Sequence, residues 1–256
     1  LTNSRFTVSV GAVGKDGMHA SYSTPGAALF VSAPGGDHES ITNHVTANVD
    51  GGCHDAGVGT SFASPVVSGV IALMLEANPD LTWRDVQGVL ASTSRMVSDD
   101  PDDTSRVVNA AGFEHSNLYG FGIVDAEAAV DASKSWELYG AESFLIGESG
   151  FVFLPIVASA TSSIPITKPN GEDFIAESVD VLLDLEQFSR GDLEVILTSP
   201  QGTRSILHPG QRLENTQLDP EERWKLMTVR AWGENAVGPW SLSVRDLRPG
   251  DAAECA

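Results

Sequence analysis

The spacing of apolar positions along the chain changes character twice. Over residues 1–50 they form short runs broken by small-residue turns: Phe6-Thr7-Val8-Ser9-Val10, Gly17, Pro25-Gly26, Leu29-Phe30-Val31 and Pro34-Gly35-Gly36. That is the texture of strands and loops. After Gly59 the spacing becomes helical. Ser64-Pro65 offers a cap and a first-turn proline, Val66, Val67, Val70, Ile71, Met74 and Leu75 recur at helical intervals, and Asn78-Pro79 stops the run. A second helix is predicted from Thr82, whose side chain can cap the backbone while Asp85, three residues on, suits the positive helix end; Val86, Val89 and Leu90 face inward. A third follows Asp125, through Ala128, Ala129 and Ala132.

Helical signals end around Trp136 to Gly150, and period two takes over to the C-terminus. Val179, Val181, Leu183 and Leu185 fall on one strand face, as do Leu193, Val195 and Leu197, and again Trp240, Leu242 and Val244. Asp180, Asp184, Glu194, Ser243 and Arg245 alternate with them. Turn clusters at Arg190-Gly191-Asp192, Pro200-Gln201-Gly202, Pro209-Gly210 and Gly238-Pro239 separate the strands and predict an antiparallel sandwich. Two folding units are therefore expected.

Composition allows both a sizeable core. The 256 residues are 41% hydrophobic and 20% charged, which suits a globular protein and excludes disordered, collagen-like and coiled-coil classes. The net charge of -20, from 15 basic and 35 acidic residues, argues against nucleic acid as a partner and favours cationic substrates. There is no acidic tail, since residues 1–140 hold 17 acids against 6 bases and residues 141–256 hold 18 against 9. The most apolar stretch, Val66 to Leu75, is far shorter than the roughly 20 residues that span a bilayer, so no membrane segment is expected. The chain opens at Leu1 without an initiating Met and reads as a piece of a longer product. Cys53 and Cys255 are too few for a disulfide framework. They are two unrelated thiols, a mutual pair, or, for Cys53, one end of a bridge to a residue upstream of Leu1.

The sharpest motif is Gly59-Thr60-Ser61-Phe62-Ala63-Ser64-Pro65, a serine directly before a helix among small residues. At a helix start the N–H groups are unpaired and the macrodipole is positive, so the Ser61 N–H can help hold the negative oxygen of an acyl-transfer intermediate. Spacing alone fits a mere N-cap as well. The whole run from Gly59 to Ser94, GTSFASPVVSGVIALMLEANPDLTWRDVQGVLASTS, resembles the nucleophile region of subtilisin-like serine proteases in their kexin/furin branch. Phe6 to Val13, Ala20-Ser21-Tyr22-Ser23 and Val31-Ser32-Ala33-Pro34-Gly35 are similar to the strands and loops that precede it in that family. Tyr119-Gly120-Phe121-Gly122-Ile123-Val124-Asp125-Ala126 resembles the closing segment. Ser189-Arg190-Gly191-Asp192-Leu193, Thr198-Ser199-Pro200-Gln201-Gly202-Thr203-Arg204-Ser205 and Gly238-Pro239-Trp240 resemble the P domain (homo B domain) of kexin-like convertases.

The resemblance implies an α/β fold, the C-terminal part of a subtilisin-like parallel-sheet domain over residues 1–138, followed by an all-β, jelly-roll-like sandwich P domain over 145–256. It implies a serine endopeptidase that cuts precursor proteins or peptides after paired basic residues, in the secretory pathway or outside the cell. Ser61 would be its catalytic nucleophile, with Gly59 and Thr60 binding substrate. The family's acid and base precede the serine in Asp-(Ser/Thr)-Gly and His-Gly-Thr contexts, and its oxyanion Asn lies in a further segment; none of these occurs here. The chain alone is therefore expected to be inactive. Calcium is expected for the whole protein, yet no ligand is identified in this chain: the family's Glu after Tyr-Ser is replaced by Thr24, which follows Tyr22-Ser23.

Other candidates read as structural. His54-Asp55 precedes Ser61 closely, but neighbours in one loop rarely orient as base and acid. His19, His38, His44, His54, His115 and His208 are each expected at the surface or in a loop. Asp99, Asp100, Asp102 and Asp103 miss the EF-hand spacing and read as a solvated acidic loop. Arg190-Gly191-Asp192 reads as a turn rather than an integrin ligand. Two other function classes compete: a non-catalytic folding or binding module, and an α/β-hydrolase, whose Gly-X-Ser-X-Gly is nearly met at Gly59 to Ala63.

Overall fold

The computed structural model describes residues 3–37, 44–97, 100–149, 159–168, 171–185, 190–210 and 223–248, with the backbone alone at His44, Asp55, Ala56 and Arg190. His38, Asp99, Ser189 and Cys255 lie outside the described residues. The chain divides into two compact units, Leu1–Val108 with Gly112–Glu142, and Asn109–Ala111 with Ser143–Ala256.

In the first unit the elements run β1 (Val10–Val13), β2 (Val31–Pro34), β3 (His44–Ala47), β4 (Cys53–Gly57), α1 (Thr60–Ala77), α2 (Trp83–Thr93), β5 (Val107–Val108), β6 (Glu114–His115) and α3 (Ala126–Ser133). β1 and β2 pair in parallel, with Val10 opposite Val31 and Val13 opposite Pro34. Ile123 makes a further parallel bridge beside Ser32. Parallel strands are covered on both faces, and Ala12, Val13, Val31 and Ala33 are all fully buried. α1 lies across β1 and β2 and against α3, turning Ala63, Val67, Val70 and Met74 inward.

Two boundaries differ from the pattern. The first strand begins at Val10, not Phe6, because α2 captures the preceding residues: Phe6 stacks on Trp83 with ring centroids 5.1 Å apart, and Gln87 Nε2 donates to the Arg5 carbonyl at 2.9 Å. α1 begins at Thr60, before the Ser64-Pro65 pair. Gly59 adopts φ 140° there, a conformation that favours glycine, and leads the chain straight into the helix without a side-chain cap. Pro65 therefore sits inside α1, where it removes the donor that would reach the Ser61 carbonyl. The apolar stripe is also only half used, since Val66, Leu73 and Leu75 are 37%, 50% and 39% exposed. By length and composition α1 could cross a bilayer, unlike the short stretch read from the sequence, yet its other face packs on β1, β2 and α3.

α2 starts as predicted. Thr82 Oγ1 accepts from the Asp85 N–H at 3.3 Å, and Asp85 Oδ2 accepts from the Thr82 N–H at 2.8 Å. Asp85 is also fully buried, and its Oδ1 accepts from the Trp136 indole N–H at 3.2 Å and the Tyr139 N–H at 2.7 Å. One carboxylate thus ties the segment after α3 to the start of α2. Burial pushes the Asp85 carboxyl up, but hydrogen bonds from Thr82, Tyr139 and Trp136 outweigh it and hold it below the usual carboxylate range.

Three histidines are less exposed than a surface position implies. His115 is fully buried, with Nε2 2.9 Å from the Leu29 carbonyl oxygen and its ring edge-on to Phe121. His19 is half-buried, and His208 places Nδ1 2.6 Å from the Leu193 carbonyl oxygen and its ring against Trp224. Their polar sequence neighbours misled because the covering groups come from distant segments. The acidic loop is only partly solvated. Tyr119 donates to Asp100 at 2.5 Å, while the Asp103 side chain is 1% exposed, accepts from Ser105 and faces Arg106.

The second unit holds β7 (Ala160–Ile166), β8 (Val179–Leu183), β9 (Leu193–Thr198), β10 (Arg204–Pro209), β11 (Trp224–Thr228) and β12 (Gly238–Asp246). They form one antiparallel sheet of order β10-β9-β12-β7 and a second of β11-β8. Both feed one core: Val181, Leu183 and Leu226 from the smaller sheet, and Leu193, Val195, Leu197, Trp240 and Val244 from the larger. Arg190–Asp192 forms a single 3-10 turn into β9. Segment Asn109–Ala111 joins this unit through hydrogen bonds. Glu234, 1% exposed, accepts from Ser199 Oγ at 2.6 Å, from Thr203 Oγ1, and from the Ala110 N–H at 2.9 Å. Asn109 Nδ2 donates to the Arg230 and Trp232 carbonyls.

Candidate active site

Ser61 is the second residue of α1 and is exposed. At that position a helical N–H has no intrahelical acceptor. The Phe62 N–H bonds back to the Gly59 carbonyl at 2.9 Å, whereas neither the N–H nor the hydroxyl of Ser61 has a hydrogen-bond partner among the described residues. Thr60, half-buried, offers its carbonyl to Ser64 Oγ at 3.1 Å. A free hydroxyl and a free N–H thus lie together at the positive end of an 18-residue helix, the arrangement that suits a nucleophile with an oxyanion donor.

The turn before the helix is fixed by tight packing. A Cβ at Gly57 would fall 2.6 Å from the Phe62 ring, and one at Gly35 would fall 2.6 Å from Ala12 Cβ and 2.9 Å from the Gly59 carbonyl oxygen. Only a bare backbone fits at either place. The Gly59 N–H points at two acceptors, the Gly35 carbonyl and the Tyr22 hydroxyl, each at 2.9 Å. Tyr22 Oη lies 2.8 Å from the Gly35 and 2.6 Å from the Gly36 carbonyl oxygens, to which it donates. Burial pushes the Tyr22 phenol up; the Gly59 N–H opposes this and the Asp37 charge reinforces it, so the group stays a neutral donor.

Of the residues marked by sequence, Gly59, Thr60 and Ser61 come together. His54 does not join them: it is exposed on β4, paired across the ladder with Thr46, and shares no hydrogen bond with Ser61 among the described residues. The Asp55 side chain lies outside the described residues. Cys53 is exposed and pairs with no other cysteine among the described residues. Sequence reasoning missed Tyr22, Gly35 and Gly57 as the cradle of this turn. The glycines at 35, 36, 57 and 59 were the available signal, because two close backbones require them.

The subtilase family model matches residues 2–122, and that of the proprotein convertase P-domain matches residues 176–255. Residues 2–122 belong to the subtilase family. Among the chain's relatives, human proprotein convertase subtilisin/kexin type 5 is 37% identical over 255 residues, covering 96% of this chain and 13% of that protein. The PC3-like endoprotease variant B of Hydra vulgaris is 34% identical over 260 residues, covering 96% and 35%. The chain thus spans about a third or less of the length of these curated relatives. A crystal structure of the Aeromonas sobria serine protease with its chaperone superposes with a TM-score of 0.77 at 25% identity, covering 97% of this chain and 52% of that one. The family is one of serine proteases, of the proprotein-convertase kind.

Thr24 is exposed, and among the described residues no group of three or more His, Cys, Asp or Glu side chains could hold a metal ion.

Proposed function

We propose that the whole protein containing this chain is a kexin-like serine endopeptidase with Ser61 as nucleophile. The observation that carries this is the Ser61 hydroxyl and N–H, without a hydrogen-bond partner among the described residues, on the glycine turn at the head of α1, in a segment that matches the subtilases. Ser61 Oγ attacks the scissile carbonyl once a base takes its proton, and the Ser61 N–H receives the developing oxyanion. The base, its orienting acid and the second oxyanion donor would come from elsewhere in the protein. Gly59 and Thr60, beside Ser61, present backbone to the substrate.

Precursor proteins cut after basic residues are the substrates this reading favours. The net charge of -20 supports it by attracting cationic peptides, and so do the convertase relatives. The same kinship supports a setting for the whole protein in the secretory pathway or outside the cell. Residues 1–138 serve as the end of the peptidase domain and 145–256 as a jelly-roll-like P domain. Calcium would serve the whole protein, as the resemblance implies, with no ligand identified in this chain.

A fluorophosphonate probe tests the assignment. The whole protein should be labelled at Ser61, Ser61→Ala should not, and this chain alone should be neither labelled nor active, because loss of the triad partners costs several powers of ten in rate. A whole protein that resists the probe would turn the reading to a non-catalytic folding or binding module.

A further inference from the structure

We propose that Tyr22 is a positioning residue for the nucleophile, acting through its hydroxyl on the backbone of Gly59; this rests on the reading of Ser61 given above. α1 has no side-chain cap, so the entry to the helix is held from outside. The two bonds that hold it converge on one group, the Gly59 N–H, which meets Tyr22 Oη and the Gly35 carbonyl at 2.9 Å each. The same hydroxyl sits against the Gly35 and Gly36 carbonyls. It therefore joins the loop after β2 to the turn before α1 at a single point.

Tyr22 is itself fixed on both sides. Ser21 Oγ donates to Asp37 at 3.1 Å, and Ser23 Oγ accepts from the Ala12 N–H of β1 at 3.0 Å. A rigid ring on an anchored loop is a suitable fixed post. Ser61 lies within reach of what the post controls: the Cβ direction of Gly59 ends 3.7 Å from the Ser61 nitrogen and 4.0 Å from Ser61 Oγ. Glycine at φ 140° has little intrinsic preference for this conformation. A rotation there displaces the attacking oxygen and the oxyanion donor together, and displacements near 1 Å at a reacting centre can cost about a hundredfold in rate.

Tyr22→Phe removes only the oxygen. The Gly35 carbonyl still accepts from Gly59, so the fold should persist while the turn loosens. In the whole protein, kcat per titrated active site should fall about tenfold with KM within about twofold, since the change touches the transition state rather than substrate binding. The rate constant for fluorophosphonate labelling should fall in parallel. A Tyr22→Phe enzyme with fewer titratable sites but unchanged kcat per site would overturn the proposal, because that is the signature of a merely structural role. If wild type is not labelled, the Ser61 assignment fails and this proposal with it; if wild type is labelled and Ser61→Ala is not, the Tyr22→Phe result judges the proposal alone. Should Tyr22→Phe not fold, amide exchange in the wild-type protein decides: a strongly protected Gly59 N–H supports the post, and a freely exchanging one overturns it.

Discussion

Asp85→Asn removes one charge from the interior of the first unit and should unfasten two elements at once. The wild-type carboxylate is fully buried and accepts from Thr82 N–H, Thr82 Oγ1, Trp136 Nε1 and Tyr139 N–H, at 2.8, 2.5, 3.2 and 2.7 Å. An asparagine oxygen can serve one pair of donors. Its NH2 group then faces the other pair, and whichever backbone N–H it meets is left buried and unpaired. Losing one or two bonds to a charged acceptor costs about 1.5–3 kcal/mol each, which sets the expected loss at about 1.5–6 kcal/mol. In a unit of this size that lowers Tm by roughly 10 °C. Urea unfolding of this chain, followed by tryptophan fluorescence, reads the loss directly, and a cycle with Trp136→Phe isolates the tether from the helix cap. The pH dependence has a defined sign. A carboxyl held below its ordinary value contributes stability above the unfolded pKa near 4, and loses it as pH falls through the lowered folded value. The gap between wild type and Asp85→Asn should therefore be widest near neutrality and close in acid. A variant within about 0.5 kcal/mol of wild type at pH 7 would refute the account of Asp85 as a buried hub.

Two further outcomes follow from backbone and core chemistry. Glu234→Gln should destabilise the second unit by about 1–3 kcal/mol, because an amide cannot satisfy Ser199, Thr203 and the Ala110 N–H as the carboxylate does; denaturant melts of this chain, with proteolysis of segment 109–111 as the local readout, check it. Gly120→Ala should cost more than about 2 kcal/mol, since its φ is 66° and a Cβ would lie 2.3 Å from the Phe30 carbonyl oxygen; soluble yield and Tm of the purified chain measure it.

Local signals in the sequence were enough for the three helices and for β8, β9 and β12. Thr82 and Asp85 announced α2, Asp125 announced α3 by accepting from the Ala128 N–H, and period two placed Leu193, Val195 and Leu197 on a buried face. Ser61 stood out because a serine two residues after a glycine at a helix start is chemically distinctive and sits in a long family-like run. What local pattern could not reach was the source of covering groups. The strand start at Val10, the burial of His115 and Glu234, and the cradle of Tyr22 and Gly35 around Gly59 all depend on contacts between residues tens of positions apart. A residue's neighbours in sequence report its torsional preferences and the period of its apolar face. They do not report which distant donor will reach its side chain, so only the tertiary structure decided that Asp85 would be a hub and Tyr22 a post.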